Sequence, residues 1–182
     1  MLLRLSDDKY EELKQEVADL LETYSVKKYP INLRKLIDKM GVHLIKYSSL
    51  DDVARRAARC KSDDSFNTWL GNESFILFND EKSNVRIRYN LAHEIAHVWC
   101  EHREESEENE AEANFFAGYL LAPVPLVIKY EINRPEEISC SFKVSQEAGF
   151  NAFNRAFKRY RTGLCQTAYE YAIVNLCSLE GK

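Results

Sequence analysis

Two histidines and a glutamate lie close together in the segment YNLAHEIAHVW, residues 89–99. His93 and His97 are four residues apart, so on a helix they share one face and can present two imidazole nitrogens to one metal ion. Glu94 is rotated by about 100° from His93, near a metal-bound water rather than in a ligand position. In this HExxH pattern zinc lowers the pKa of the water, the glutamate takes its proton, and hydroxide attacks a carbonyl.

A lone HExxH match also arises by chance, and the alternative is a pair of histidines on an ordinary buried helix. The metal interpretation therefore depends on a third protein ligand, because a catalytic zinc needs one. His102 is one residue short of the third-ligand position in the extended metzincin pattern. We interpret it as a solvent-facing residue at a helix end.

A better third ligand lies in the segment ENEAEANFFAGYLLAP, residues 108–123. Glu110 and Asn114 are four residues apart, so one helix face offers a carboxylate and, one turn further, an amide that could orient a ligating histidine. Glu112 is rotated by about 200° from Glu110, so both cannot bind the same metal. We favour Glu110, since small residues that permit close helix contact surround it: Ala113, Ala117 and Gly118. The alternative is an amphipathic helix with solvated glutamates.

Capping residues and apolar spacing predict the elements that carry these side chains. Ser6, Asn32 and Ser83 or Asn84 are candidate helix N-caps. The predicted helices are 7–25, a short one from Asn32 to Gly41, 84–102, 107–121, 125–131, 135–142 and 146–160, with an apolar helical pattern in the tail 164–179. A strand is predicted at 42–47 and a hairpin over 67–80, whereas 48–66 reads as a loop or short helix. Strands beside separate helices give an α+β fold.

Length and composition limit the class of protein. A chain of 182 residues that is 45% hydrophobic and 30% charged is typical of one soluble globular domain. Its five cysteines include no CxxC spacing, which excludes a four-cysteine zinc site and suits a reducing cytoplasm. We see no signal peptide, no apolar run long enough to cross a membrane, and, at a net charge of −4, no general case for nucleic-acid binding. We expect a cytoplasmic protein.

At this point the sequence resembles the ImmA/IrrE-like family of metallopeptidases. The resemblance rests on YNLAHEIAH and EAEANFFAGYLLAP, which are similar to the family patterns LAHE-x-x-H and E-x-E-A-N-x-F-A-x-x-L-L-x-P. YPINLRKLIDKMGVHLIKY and FKVSQEA resemble the family's entry helix and strand and its downstream segment. Together these segments cover most of residues 29–150.

The resemblance implies a zincin-like α+β fold in which His93, His97 and Glu110 hold a zinc ion (Zn²⁺) and Glu94 is the general base. It further implies cleavage of one specific protein, typically a helix-turn-helix repressor of a phage, mobile element or stress regulon. Asn114 occupies a position where related zincins often have aspartate, so it would raise the basicity of a histidine less. We expect a single domain over 1–182, made of an N-terminal helix (1–28), a catalytic core (29–123) and a helical C-terminal region (124–182).

Three further features bear on the substrate and on rival functions. The segment SFILFND, 74–80, is the expected edge strand to which a substrate backbone could add. Residues 101–112 contain seven glutamates and one arginine, which would either be solvated or attract a basic substrate. The segment 138–161 resembles a helix-turn-helix with a basic second helix, so a DNA-binding regulator is one rival, although packing explains its phenylalanines better. The other rival is a module that binds a repressor or antitoxin without cleaving it.

Overall fold

The computed structural model describes residues 3–162 and 167–181 and has the predicted α+β composition. Its helices are α1 (Asp7–Thr23), α2 (Leu33–Lys39), α3 (Asp52–Lys61), α4 (Asn84–Trp99), α5 (Glu107–Leu121), α6 (Val124–Lys129), α7 (Pro135–Phe142), α8 (Gln146–Thr162) and α9 (Ala168–Leu176). Its strands are β1 (Lys28–Tyr29), β2 (His43–Lys46), β3 (Ser65–Leu70), β4 (Glu73–Phe78) and β5 (Ser178–Leu179).

Side-chain caps set the starts of the two helices that matter most for function. The Ser83 hydroxyl accepts the Arg86 amide at the start of α4, and the Ser106 hydroxyl accepts the Asn109 amide at the start of α5. Both starts agree with the sequence predictions. Helix α4 ends at Trp99, three residues before the predicted end at 102, because Glu101 takes a left-handed conformation with φ +54°. The chain therefore reverses directly after the second histidine.

A three-stranded mixed sheet lies beside α4. The strand order is β2-β4-β3, with β2 parallel and β3 antiparallel to β4. The prediction that 74–80 forms an edge was wrong, because the crossover through α3 returns the chain so that β4 pairs on both sides. The segment 48–66, predicted as a loop or short helix, contains α3, and β3 is the edge strand beside the HExxH motif of α4.

Helices α4 and α5 pack closely in the centre of the molecule. Ala92 and Ala96 of α4 and Ala113 and Ala117 of α5 are all 0% exposed. Such small side chains let two helix backbones approach each other, as the sequence predicted for α5. Helix α1 packs against α5 and covers the core from the other side.

One helical stretch in the described part of the chain, Glu107–Lys129, is long and apolar enough by composition to cross a membrane. It is interrupted where α5 ends and Pro123 precedes α6, and 78% of its apolar window is buried inside the fold. This burial is that of a core helix in a soluble domain.

The C-terminal region is helical, as predicted, and its end returns to the N-terminal part of the chain. Of the predicted tail helix 164–179, residues 168–176 form α9, 178–179 form β5, and 164–166 lie outside the described residues. Strand β5 pairs in parallel with β1, which places Ser178 opposite Lys28. Strands of two residues give no periodic pattern, so neither β1 nor β5 was predicted from the sequence.

Candidate metal centre

Helices α4 and α5 bring two histidines and one glutamate together. The Nε2 atoms of His93 and His97 are 3.0 Å apart. The Glu110 carboxylate places Oε1 3.2 Å from His97 Nε2 and Oε2 3.4 Å from His93 Nε2. One possible ligand atom from each of the three residues lies within 4.8 Å of the others. The three side chains selected from the sequence therefore converge on one candidate metal site.

The donor set and its spacing fit a zinc ion. Two imidazole nitrogens and a carboxylate are the protein ligands of many catalytic zinc sites, with bonds of about 2.0–2.1 Å. Tetrahedral ligands at that bond length lie about 3.3–3.4 Å from each other. The separation of the two Nε2 atoms, 3.0 Å, and the distances from each Nε2 to its nearer Glu110 oxygen, 3.2 and 3.4 Å, are close to this value.

Burial and mutual contacts keep these groups in the protonation states that a cation needs. Burial, and next the neighbouring His93, lower the pKa of His97 to about 4. The hydrogen bond with His93 is the main influence that lowers the pKa of Glu110. At neutral pH His97 is thus an uncharged donor and Glu110 is an anion, so neither must lose a proton when a metal binds.

Glu94 lies beside the cluster and is held by the edge strand. The Ser65 hydroxyl donates to Oε1 over 2.7 Å, and the Asn67 amide donates to Oε2 over 2.9 Å. Glu94 is only 4% exposed, so these two bonds fix the orientation of a buried carboxylate. Sequence reasoning missed Ser65 and Asn67. Their only signal is the i, i+2 spacing, which places two polar side chains on one face of a strand.

Asn114 lies one turn after Glu110, where the sequence placed it. Its amide oxygen accepts a hydrogen bond from the Tyr89 hydroxyl over 2.7 Å. The Nδ1 atom of His93, which could use such a partner, is buried and has none within the described residues. The proposed role of Asn114 in orienting a ligating histidine stays a prediction.

His102 is buried, and the interpretation that it faces solvent was wrong. Its side chain is 7% exposed, and its Nδ1 lies 3.1 Å from Nδ1 of His97. Its Nε2 lies 3.2 Å from Glu112, whose side chain is 8% exposed and contacts Lys9 over 3.2 Å. The reversal of the chain at Glu101 folds His102 back over the end of α4. Glu112 is therefore not a solvated helix residue, although it lies away from the metal cluster as predicted.

Cys100 remains outside the cluster and is a free, partly buried thiol. Burial raises its pKa to about 12. The thiolate, which is the form that binds metals, is therefore strongly disfavoured at neutral pH. Cys100 is therefore interpreted as a packing residue rather than a metal ligand.

The cluster opens into a cleft of about 1110 Å³. One wall is β3, which contributes Ser65, Asn67 and Trp69, and the metal cluster and Glu94 form the floor. The acidic connection between α4 and α5 forms a rim that includes Glu104, Glu105 and Glu107. The Arg103 guanidinium lies 4.3 Å from the ring centre of Trp69 and so joins this rim to the strand.

Comparison with known proteins gives the family of the chain. Residues 38–149, more than half of the chain, match the model of a peptidase family described as the IrrE N-terminal-like domain. The matched range contains all three residues of the cluster, together with Glu94 and β3. A search of curated proteins returned no significant match.

Proposed function

The chain belongs to the peptidase family of IrrE N-terminal-like domains, as its motifs predicted, and we propose that it is a zinc-dependent endopeptidase with a zincin-like fold, acting in the cytoplasm. One observation carries the proposal: His93, His97 and Glu110 converge within 4.8 Å of one another, and Glu94 is held in the same cleft. We further propose that these three residues bind the metal and that Glu94 is the catalytic base.

The chemistry proposed for Glu94 is proton transfer during hydrolysis of a peptide bond. A bound zinc ion would supply a lowered pKa for the attacking water and would polarise the substrate carbonyl. Glu94 accepts a proton from the attacking water while the oxygen of that water bonds to the carbonyl carbon. The same carboxylic acid then donates the proton to the leaving amine nitrogen as the C–N bond breaks. Ser65 and Asn67 keep the carboxylate in place for both transfers.

The substrate backbone is proposed to add to β3. This strand is an edge of the sheet beside α4, and it lines the cleft over most of its length. An extended peptide can form main-chain hydrogen bonds with such an edge, while its side chains enter pockets on either side. This replaces the expectation that 74–80 would receive the substrate.

We propose a helix-turn-helix repressor of a phage, mobile element or stress regulon as the substrate. The support from the molecule is the acidic rim, whose glutamates at 104, 105 and 107 border the cleft. Such a field favours a substrate segment rich in lysine or arginine, which DNA-binding repressors contain. The family resemblance supplies the identity of the repressor class.

DNA binding by the chain itself has less support. Helices α7 and α8 pack against each other across the three-residue connection 143–145. However, Arg155 contacts the Gly118 carbonyl inside the fold, and Arg159 pairs with the buried Glu170 over 2.6 Å. Two basic residues of this segment thus make contacts within the fold. The exposed surface of α8 includes the apolar rings of Phe150 and Phe157, which do not bind phosphates.

The decisive test combines cleavage with metal content. The zinc-loaded protein is incubated with the repressor encoded beside it, and new N-termini are identified by mass spectrometry with and without a chelator. Glu94→Gln should abolish cleavage and keep the metal, because it removes the base without removing a ligand. Equal cleavage by Glu94→Gln would refute the mechanism. Binding of the repressor without any cleavage would instead favour the non-cleaving module.

The ligand assignment has its own test with a matched control. His93→Ala, His97→Ala and Glu110→Ala should each lower the zinc content of the purified protein. Glu108→Ala should not, since Glu108 is an exposed glutamate in the first turn of the same helix. If Glu112→Ala lost the metal completely and Glu110→Ala kept it, the third ligand would be wrong.

A further inference from the structure

We infer that His102 and Glu112 are positioning residues: a hydrogen-bond chain from Glu112 through His102 to His97 fixes the ring and tautomer of His97 for metal binding. The inference rests on the proposed function, since it assumes that His97 is a metal ligand. His102 lies at Nδ1 of His97, whereas Glu110 faces Nε2 of the same ring. Both His102 and Glu112 would act on the metal through His97.

The backbone at the end of α4 brings His102 to His97. The His102 amide donates to the His97 carbonyl over 2.9 Å, and the Glu101 amide donates to the Val98 carbonyl over 3.3 Å. These are the two bonds of a Schellman motif, which joins the residue after the left-handed position to the last turn of the helix. In this motif the side chains at the positions of His97 and His102 usually form an apolar contact. Here they are two imidazole rings, 5.2 Å apart between centres.

The order of donors and acceptors in the hydrogen-bond chain has one solution when Nε2 of His97 binds a metal. A ligating Nε2 carries no proton, so the proton of the His97 ring is on Nδ1 and is donated to Nδ1 of His102. Nε2 of His102 then carries the proton that the Glu112 carboxylate accepts. The chain from Glu112 therefore favours the tautomer of His97 that a metal requires.

The Glu112 end of the hydrogen-bond chain is also held in place. Lys9 of α1 contacts Oε1 of Glu112 over 3.2 Å, while Oε2 faces His102. Glu112 is 6% exposed, so little water competes for either oxygen. The Lys9 ammonium at Oε1 holds the Glu112 side chain in place, so that Oε2 can accept from His102.

His93 and His97 differ in whether their Nδ1 atoms have a hydrogen-bond partner. Nδ1 of His93 is buried without a hydrogen-bond partner in the described residues, whereas Nδ1 of His97 has His102. The orientation of His97 is thus determined before any metal binds. A purely structural role for His102 and Glu112 would hold the helices together and would not depend on which nitrogen of His97 carries the proton.

Two substitutions separate the roles. His102→Leu removes the acceptor for His97, and His102→Asn keeps one, because its amide oxygen lies near the position of Nδ1. Both lose the bond to Glu112, so their difference reports the acceptor alone. His43→Leu is the control, since His43 is an exposed residue on β2 that stacks on Phe75, away from the cleft. The affinity for Zn²⁺ is measured by competition with a chromophoric chelator.

We expect His102→Leu to weaken zinc binding by about 10–100-fold, the usual effect of losing a hydrogen-bond partner of a ligating histidine. His102→Asn should recover most of that loss, and His43→Leu should bind like the unmodified chain. Equal losses in the Leu and Asn variants, or no loss in a folded Leu variant, would overturn the inference. Failure of the unmodified chain to bind zinc would instead refute the proposed metal site.

A second measurement reads the hydrogen bond directly in the zinc-loaded protein. Nitrogen-15 and proton spectra of labelled histidines show whether Nδ1–H of His97 is hydrogen-bonded, and we expect that it is. His102→Leu should move this resonance to that of an N–H without an acceptor, which a packing role would not produce. Glu112→Gln provides the same readout if the Leu variant does not fold, because it removes the charge and keeps the shape. A His97 N–H resonance unchanged by these substitutions would contradict the inference.

Discussion

At the scale of single residues, the orientation of Glu94 depends on two donors from another element. We predict that Ser65→Ala and Asn67→Ala each lower kcat by about tenfold, because a base that loses its orientation transfers protons less efficiently. KM and zinc content should change little, since neither side chain belongs to the ligand cluster. Steady-state kinetics and metal analysis check this.

A control for that prediction lies on the same strand. Leu70 is 72% exposed and does not line the cleft, so Leu70→Ala should retain the activity of the unmodified chain. If Leu70→Ala lost as much activity as Asn67→Ala, the effect would come from the strand as a whole. The role assigned to the hydrogen bonds of Glu94 would then be wrong.

A second prediction at this scale concerns Asp64, just before β3. Arg86 donates two hydrogen bonds to its carboxylate, over 3.1 and 2.6 Å. The bond from Arg86 is the main cause that lowers the pKa of Asp64 below its ordinary value of 3.8. The resulting stabilisation is present above that ordinary value and is lost as the pH falls through the lowered pKa.

Urea unfolding of the unmodified chain and of Asp64→Asn at several pH values tests this. The difference in the free energy of unfolding should be largest at neutral pH and should shrink below about pH 4. It should stay under about 1 kcal/mol, since the Arg86 side chain is 59% exposed and water screens the pair. A difference that grew as the pH fell would contradict the sign.

At the scale of elements, the crossing of α7 and α8 depends on Gly149. A Cβ atom at this position would lie 2.1 Å from the Ser139 hydroxyl and 2.7 Å from the Pro135 carbonyl oxygen. Gly149→Ala should therefore lower the free energy of unfolding by about 1–3 kcal/mol, as overpacking does. Thermal unfolding followed by circular dichroism measures the effect.

Gly118 in α5 is the matched position for that test. A Cβ atom there would meet only the Arg155 guanidinium at 3.8 Å, an ordinary contact. Since alanine favours a helix over glycine by about 0.5–1 kcal/mol, Gly118→Ala should leave stability unchanged or raise it. Destabilisation by both substitutions would show that helix packing near α8 tolerates no added methyl group. The close contacts specific to Gly149 would then not be the cause of the effect.

The sequence predicts elements well where a local signal exists. Ser83, Ser106 and Pro123 mark helix ends by capping or by lacking an amide hydrogen, and these ends agree with the structure. The choice of Glu110 as the candidate third ligand also follows from local spacing. The edge strand does not, because the position of β3 depends on a crossover that no local pattern encodes.

The contacts of His102 show the same limit within the candidate site. Its burial depends on a left-handed conformation at Glu101, where the sequence has no glycine to indicate one. The partnership with Glu112 also needs a contact between two helices. Sequence spacing within each helix cannot supply it, which is why His102 was read as solvent-facing.

At the scale of the whole molecule, a metal in this site would join α4 to α5 in the centre of the fold. Ligand binding to the folded state alone stabilises it by about 4 kcal/mol at a thousand times Kd. For a chain of this size we expect Zn²⁺ to raise Tm by about 10 °C. Glu110→Ala should remove this increase, whereas Glu108→Ala should retain it. An equal increase in both variants would place the stabilising metal elsewhere.

The residues before and after the family match complete the hydrophobic core of the protein. The Tyr169 hydroxyl of α9 donates to Glu11 of α1 over 2.5 Å, and β5 pairs with β1. Leu179 is 2% exposed and Cys177 is also 2% exposed, so these last residues belong to the same core as α1. Because α1 also packs against α5, the C-terminal helices support the helix that carries Glu110 and Glu112.

We therefore predict that residues 1–150, which end just after the matched range, do not fold stably alone. Their loss of α9 and β5 would expose apolar faces of α1 and α6, so the fragment should lack a cooperative thermal transition and zinc binding. A chain of residues 1–180 is the control, since it retains β5 and should unfold in one transition with an unchanged Tm. Native-like unfolding and zinc binding by the 1–150 fragment would instead show that the C-terminal helices form a separable unit, and the single domain proposed from the sequence would be wrong.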